Sequence, residues 1–155
     1  RSVLRSLRFG SRARSEVRTH RAFCDVETRG HTDVHDLTEP LRRAVAESGI
    51  REGQALVFVS GSTAGVTTIE FEPGLRKDLP EMFERLAPEK ADYHHHATWG
   101  DDNGAAHLRA ALLGPSVVVP IADGAPLLGE WQQVVLVDFD TRPRRRRVLL
   151  QAMGE

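Results

Sequence analysis

Val134, Val135, Leu136 and Val137 stand consecutively inside the stretch WQQVVLVDFD. Neighbouring side chains of a strand point to opposite faces, so a strand with four aliphatics in a row is apolar on both sides. It therefore needs a layer over each face, or a partner chain over one of them. A two-layer β structure with helices fits this requirement, and a lone sheet exposed to water does not.

The rest of the chain supplies the other layers. ALVFVS is a second buried-type strand, TTIEFE alternates, and AFCDVETRG and the segment Val3–Phe9 also carry strand patterns. SVVVP leads to a turn at Ala122, Asp123 and Gly124, and RVLLQAM closes the chain as a strand. A helix is expected from Thr38, taken as its cap, through Leu41, Ala44, Val45 and Ala46 to a stop at Gly49. Leu75, Leu79, Met82, Phe83 and Leu86 give a second helix ending at Pro88. A third runs from about Gly104 to Leu113, opened by Asp101, Asp102 or Asn103 and closed by Gly114. Strands and about three helices in this mixed order, with a β-rich last third, predict an α+β fold of one domain over residues 1–155.

Composition narrows the function classes. With 40% hydrophobic and 28% charged residues, the chain is of globular type, neither disordered nor membrane-spanning. A formal charge of −1 gives no global attraction to nucleic acid or to an acidic membrane. The single cysteine, Cys24, forms no internal disulfide, sits in an apolar run and reads as a buried thiol. Nor does an apolar signal segment follow Arg1, so a reducing cytoplasm is the expected location.

Four stretches remain as candidates for chemistry. In YHHHATWGDDNGAAHLRAALLG, four of seven histidines fall between Tyr93 and Gly114. Read as extended chain, His94 and His96 share a face and His95 points away from both. His107, at the start of the third helix, has to meet one of them in space. Two imidazoles with a carboxylate such as Asp101 suit zinc or another divalent ion; scattered surface histidines are the plain alternative. SGSTAG places Ser62 and Thr63 in a small-residue turn able to offer hydroxyl and N–H groups to a phosphate, though without the spacing of a nucleotide-binding P-loop, and Glu70 follows on the next strand. In RPRRRR, Arg144 and Arg146 alternate onto one strand face and suit a phosphate, or else the run is solvated. LGEWQQ, with Gly129, Trp131 and Gln132, is the fourth.

Taken together, STAGVTTIEFEPGLRKDL, YHHHATWGDDNGAAHLRAALLGPSVVVP, ADGAPLLGEWQQ and DFDTRPRRRRV resemble the YjbQ-like family, often labelled secondary thiamine-phosphate synthase. The resemblance implies two packed β-sheets and a homotrimer with sites near subunit interfaces. It puts the family's Tyr-x-His on Tyr93 and His95 and its helix-start histidine on His107. Glu70, Asn103, Gly129, Trp131 and Gln132 also fall on family positions. Where many members carry a further histidine this chain has Gly61, and where some carry another it has Ala105, which leaves a metal site that relies on either one ligand short.

The activity so implied couples hydroxymethylpyrimidine diphosphate to a thiazole phosphate with release of diphosphate. Catalytic roles fall to His107, His95 and Glu70; phosphate binding to Ser62, Thr63, Asn103, Arg144 and Arg146; a zinc or magnesium ion to His95, His107 and Asp101. The alternatives are a non-catalytic trimer binding a metal or small anion, and a metal-dependent hydrolase. The expected partners are further copies of the chain and a small phosphorylated molecule; neither nucleic acid nor membrane is expected.

Overall fold

The computed structural model describes residues 16–155; the strand expected over Val3–Phe9 lies outside them. In chain order the elements are β1 (Arg18–Thr28), β2 (Asp33–Asp36), α1 (Thr38–Ser48), β3 (Gly53–Val59), β4 (Ala64–Ile69), α2 (Leu75–Leu86), α3 (His94–Trp99), α4 (Gly104–Leu113), β5 (Ser116–Ala122), β6 (Ala125–Pro126), β7 (Gln133–Asp138) and β8 (Arg144–Gly154). They build two antiparallel sheets, one of order β1-β8-β3-β5-β6 and one of order β2-β7-β4. The fold is α+β, with four helices among the described residues where about three were expected.

Strand β7 explains the two layers. Residues 134–137 are all fully buried. Val134 and Leu136 point into the core shared with α1 and the inner face of the five-stranded sheet, among Leu41, Val57 and Val148. Val135 and Val137 point the other way, to Phe83 of α2 and Ala106 and Ala110 of α4. Each such aliphatic contributes about 1.5–3 kcal/mol of burial. Both faces are thus covered inside one protomer, and the run by itself makes no case for a partner chain.

The start of α1 departs from the expected cap. Thr38 is the first helical residue, preceded by Leu37, and its N–H donates to Asp36 Oδ1 at 2.8 Å. Its hydroxyl oxygen instead accepts the N–H of Val134 at 3.0 Å, pinning the helix to β7. Gly49 ends α1 as expected, in the left-handed conformation (φ 64°) that a residue without Cβ adopts freely.

The larger correction concerns the histidine run. Residues 94–99 form the short helix α3, with Tyr93 extended before it and Gly100 left-handed after it. The extended reading fails because the chain turns here through two local closures, from the His96 N–H to the Tyr93 carbonyl and from the Gly100 N–H to the His96 carbonyl. On a helix consecutive side chains fan out about 100° apart, so the three imidazoles face three directions.

Candidate functional site

Each histidine of α3 has its own surroundings. His94 is exposed. His96 turns inward: its Nε2 accepts the N–H of Gly104 at 3.2 Å, and its ring packs edge-on against Tyr93. A Cβ added at Gly104 would lie 2.6 Å from Tyr93 Cβ, so α4 begins with a glycine because the tyrosine occupies that space. This packing carries α4 up to α3 and sets His107 beside His95.

The His95 and His107 rings are 4.4 Å apart between centroids and tilted by 52°. His95 Nε2 is 3.3 Å from Asp101 Oδ1. With the amide of Asn103 turned so that its nitrogen faces these groups, that nitrogen is 3.2 Å from His95 Nε2 and from both Asp101 oxygens. One ring nitrogen thus meets both an acceptor and a donor. Protonated, His95 stands at ion-pair distance from Asp101; neutral at Nε2, it can accept the Asn103 N–H. Asn103, expected as a helix cap, stands at the cap position of α4 but forms no side-chain cap bond.

Burial and the neighbouring His95 hold His107 below the ordinary histidine pKa, against the opposing pull of Asp101 and Asp140. The ring is therefore biased to the neutral form, able to accept a proton on one nitrogen and donate from the other. Asp140 belongs to a buried network beneath the site. Burial works to raise its pKa, but Arg144 Nε at 2.7 Å, the Thr63 hydroxyl at 3.0 Å and the Thr141 N–H at 2.8 Å outweigh it, so the carboxylate stays below the usual range. Asp138 accepts two hydrogen bonds from Arg146, one from the Asp140 N–H and one from the Thr28 hydroxyl.

The expected phosphate-binding residues divide accordingly. Thr63 is buried and its hydroxyl is engaged twice, donating to Asp140 and accepting from Arg146 at 2.7 Å; Ser62 beside it is exposed. Arg146 is spent on Asp138 inside the protein, and Arg144 holds Asp140 while keeping about a third of its side chain exposed. Glu70 is not brought to the histidine pair in the protomer. It follows the end of β4 that pairs with Gln133, about 20 Å of strand from the end beside Asp138, and lines a separate cleft with Arg42, Glu72, Glu130 and Trp131. Ala105, at one of the two positions of the missing family histidines, is buried in the start of α4; Gly61, at the other, abuts Arg146.

Among the described residues no group of three or more His, Cys, Asp or Glu side chains is placed to hold one ion, so the zinc or magnesium expected on His95, His107 and Asp101 finds no preformed three-ligand site within the protomer. Two adjacent imidazoles beside a carboxylate suit acid–base chemistry.

Sequence reading did not single out Asp138, Asp140, Thr28 or Thr141. One signal was present: the carboxylates of DFD alternate with Phe139 as Arg144 and Arg146 alternate on β8. Both sets face the space between the sheets, since Arg144 and Arg146 continue the inward row of Val148, Leu150 and Ala152. No helix of the described residues is long and apolar enough to cross a membrane.

Comparison with known proteins agrees with this architecture. Residues 23–155 match the family described as UPF0047 protein YjbQ-like. A UPF0047 protein of Archaeoglobus fulgidus is 38% identical over 83% of this chain and 97% of its own length, and one of Mycobacterium bovis is 42% identical over 81% and 95%. Among solved structures, a YbjQ-like protein of unknown function from Sulfolobus solfataricus superposes with a TM-score of 0.85 at 30% identity, over 90% of this chain and all of that one. A hypothetical protein from Aeropyrum pernix gives 0.81 at 31%, over 87% and 98%. The chain belongs to the UPF0047 YjbQ-like family.

Proposed function

We propose that the protein is an enzyme acting on a small phosphorylated molecule, with the His95–His107 pair as its acid–base centre. The observation that carries the reading is the pair itself: two imidazoles in contact, one served by both Asp101 and Asn103, the other biased to neutrality by burial. A histidine whose pKa is lowered by burial and by a neighbouring imidazole marks a candidate functional site. The specific reaction put forward is formation of thiamine phosphate. The methylene C–O bond of hydroxymethylpyrimidine diphosphate breaks, diphosphate leaves with the bonding electrons, and the methylene carbon bonds to the ring nitrogen of the thiazole phosphate. Neutral His107 donates an N–H to the departing diphosphate, whose charge grows as the bond breaks.

Self-association as a homotrimer belongs to the same proposal. Its support is the family resemblance together with Leu108 and Leu112, one turn apart on α4 and 49% and 65% exposed, and Trp99, 75% exposed on α3 beside the site.

The test is a diphosphate-release assay with both precursors, product identified by mass. Release with thiamine phosphate formed supports the reaction; binding of either precursor without release makes the protein a binding protein; neither overturns both.

A further inference from the structure

The arginines of the run Arg142–Arg147 differ one from another in their surroundings. Arg144 engages Asp140 at 2.7 Å and Arg146 closes on Asp138. On the outer face of the sheet, Arg145 meets Asp25 at 3.0 Å and Glu27 at 3.6 Å, while Arg147 lies over the Phe23 ring at 4.3 Å. Arg142 differs. It is exposed, and among the described residues its guanidinium meets neither a carboxylate nor an aromatic ring.

Its position gives that free charge a context. Arg142 lines a cleft of about 270 Å³ with Asp101, Asp102, Asn103 and Thr141, and two of these residues touch His95. The two carboxylates of the cleft already have donors: Asp101 faces His95 and the Asn103 amide, and Asp102 accepts the Thr141 hydroxyl at 3.0 Å. The guanidinium is the one cationic side chain lining this cleft, and it forms no ion pair among the described residues. The backbone next to it is fixed, because Thr141 N–H is held by Asp140 and the Asp140 carbonyl accepts the His31 N–H at 2.8 Å. A Cβ on Gly30 would meet the Asp140 carbonyl oxygen at 2.2 Å and that of Arg142 at 2.9 Å, so this glycine lets a second segment close against the loop.

We propose that Arg142 is the anchor for the anionic end of the ligand, gripping a phosphate or diphosphate at the mouth of the cleft and directing the remainder toward His95 and His107. This assignment rests on the reading of a phosphorylated ligand. A guanidinium offers two parallel N–H groups to phosphate oxygens, which fixes orientation as well as charge. Arg144 and Arg146 act beneath it as positioning residues, holding the two aspartates that shape the loop.

The experiment is calorimetric titration of the full chain with inorganic diphosphate, comparing wild type, Arg142→Gln, Arg142→Lys and, as an equal loss of charge on the far face, Arg145→Gln. Arg142→Gln should weaken binding about ten- to hundredfold, Arg142→Lys should recover part of the loss, and Arg145→Gln should bind as wild type. Circular dichroism of each variant confirms folding. Wild-type binding unaffected by Arg142→Gln, or weakened equally by Arg145→Gln, overturns the assignment and leaves the phosphorylated-ligand reading standing. No binding by the wild type overturns both.

Discussion

Arg146 and Asp138 form a two-pronged ion pair, 2.6 Å from Nε to Oδ2 and 2.7 Å from the terminal nitrogen to Oδ1, with the aspartate wholly shielded from solvent. Removing one member strands the other. Arg146→Ala is expected to cost roughly 3–5 kcal/mol of stability, because the Asp138 charge is then buried without its partner. Arg145→Ala, one residue away but on the exposed face, should cost at most about 1 kcal/mol. Equal shifts in urea denaturation would contradict this division. The alternative of a solvated arginine run does not hold at Arg146, whose side chain is buried against Asp138.

Thr38→Val tests the anchor between α1 and β7. The Val134 N–H loses its acceptor in a buried place, which should cost about 1–3 kcal/mol, although valine nearly matches threonine in shape. Denaturation midpoints compared with those of wild type decide it; an unchanged midpoint would contradict the assigned role.

How far could the sequence lead? The VVLV run announced two covered faces, and β7 has them; most strand and helix patterns after residue 18 found their elements. The histidine run misled because its period was read as 2 where Tyr93, His96 and Gly100 close a short helix, and six residues are too few for apolar periodicity to reveal one. His95 was selected both by that mistaken alternation and by the resemblance, and it does lie against His107. The aspartates below the pair stayed hidden because their partners are 4 to 8 residues away on a strand of the other sheet, a relation that only the packing of the layers creates.

The lowered pKa of His107 carries a pH dependence. Between the ordinary histidine value near 6.5 and the lower folded value, the unfolded chain binds a proton that the native state does not. This contribution to stability is complete above the unfolded pKa and is lost as pH falls through that window. Asp101 raises the His107 pKa, so Asp101→Asn should lower it further, while His95→Ala should raise it by removing a like charge. Imidazole NMR titration reads both, and shifts of the same sign would contradict the arrangement.

Assembly is testable apart from chemistry. Light scattering at micromolar concentration should give the mass of a trimer, and Leu112→Arg, placing a charge on the exposed apolar face of α4, should shift it toward the monomer. A wild-type monomer would remove self-association from the account.

The central claim, that His95 and His107 work as one site, is tested most directly by turnover of the wild type, His95→Ala, His107→Ala and the double variant, measured as diphosphate release from the two thiamine precursors. Each single change should lower turnover about 10²–10⁴-fold, and the double should lose little more than either single, because groups acting as a unit fail together. Losses that multiply in the double variant, or undiminished turnover in folded His107→Ala, would contradict it.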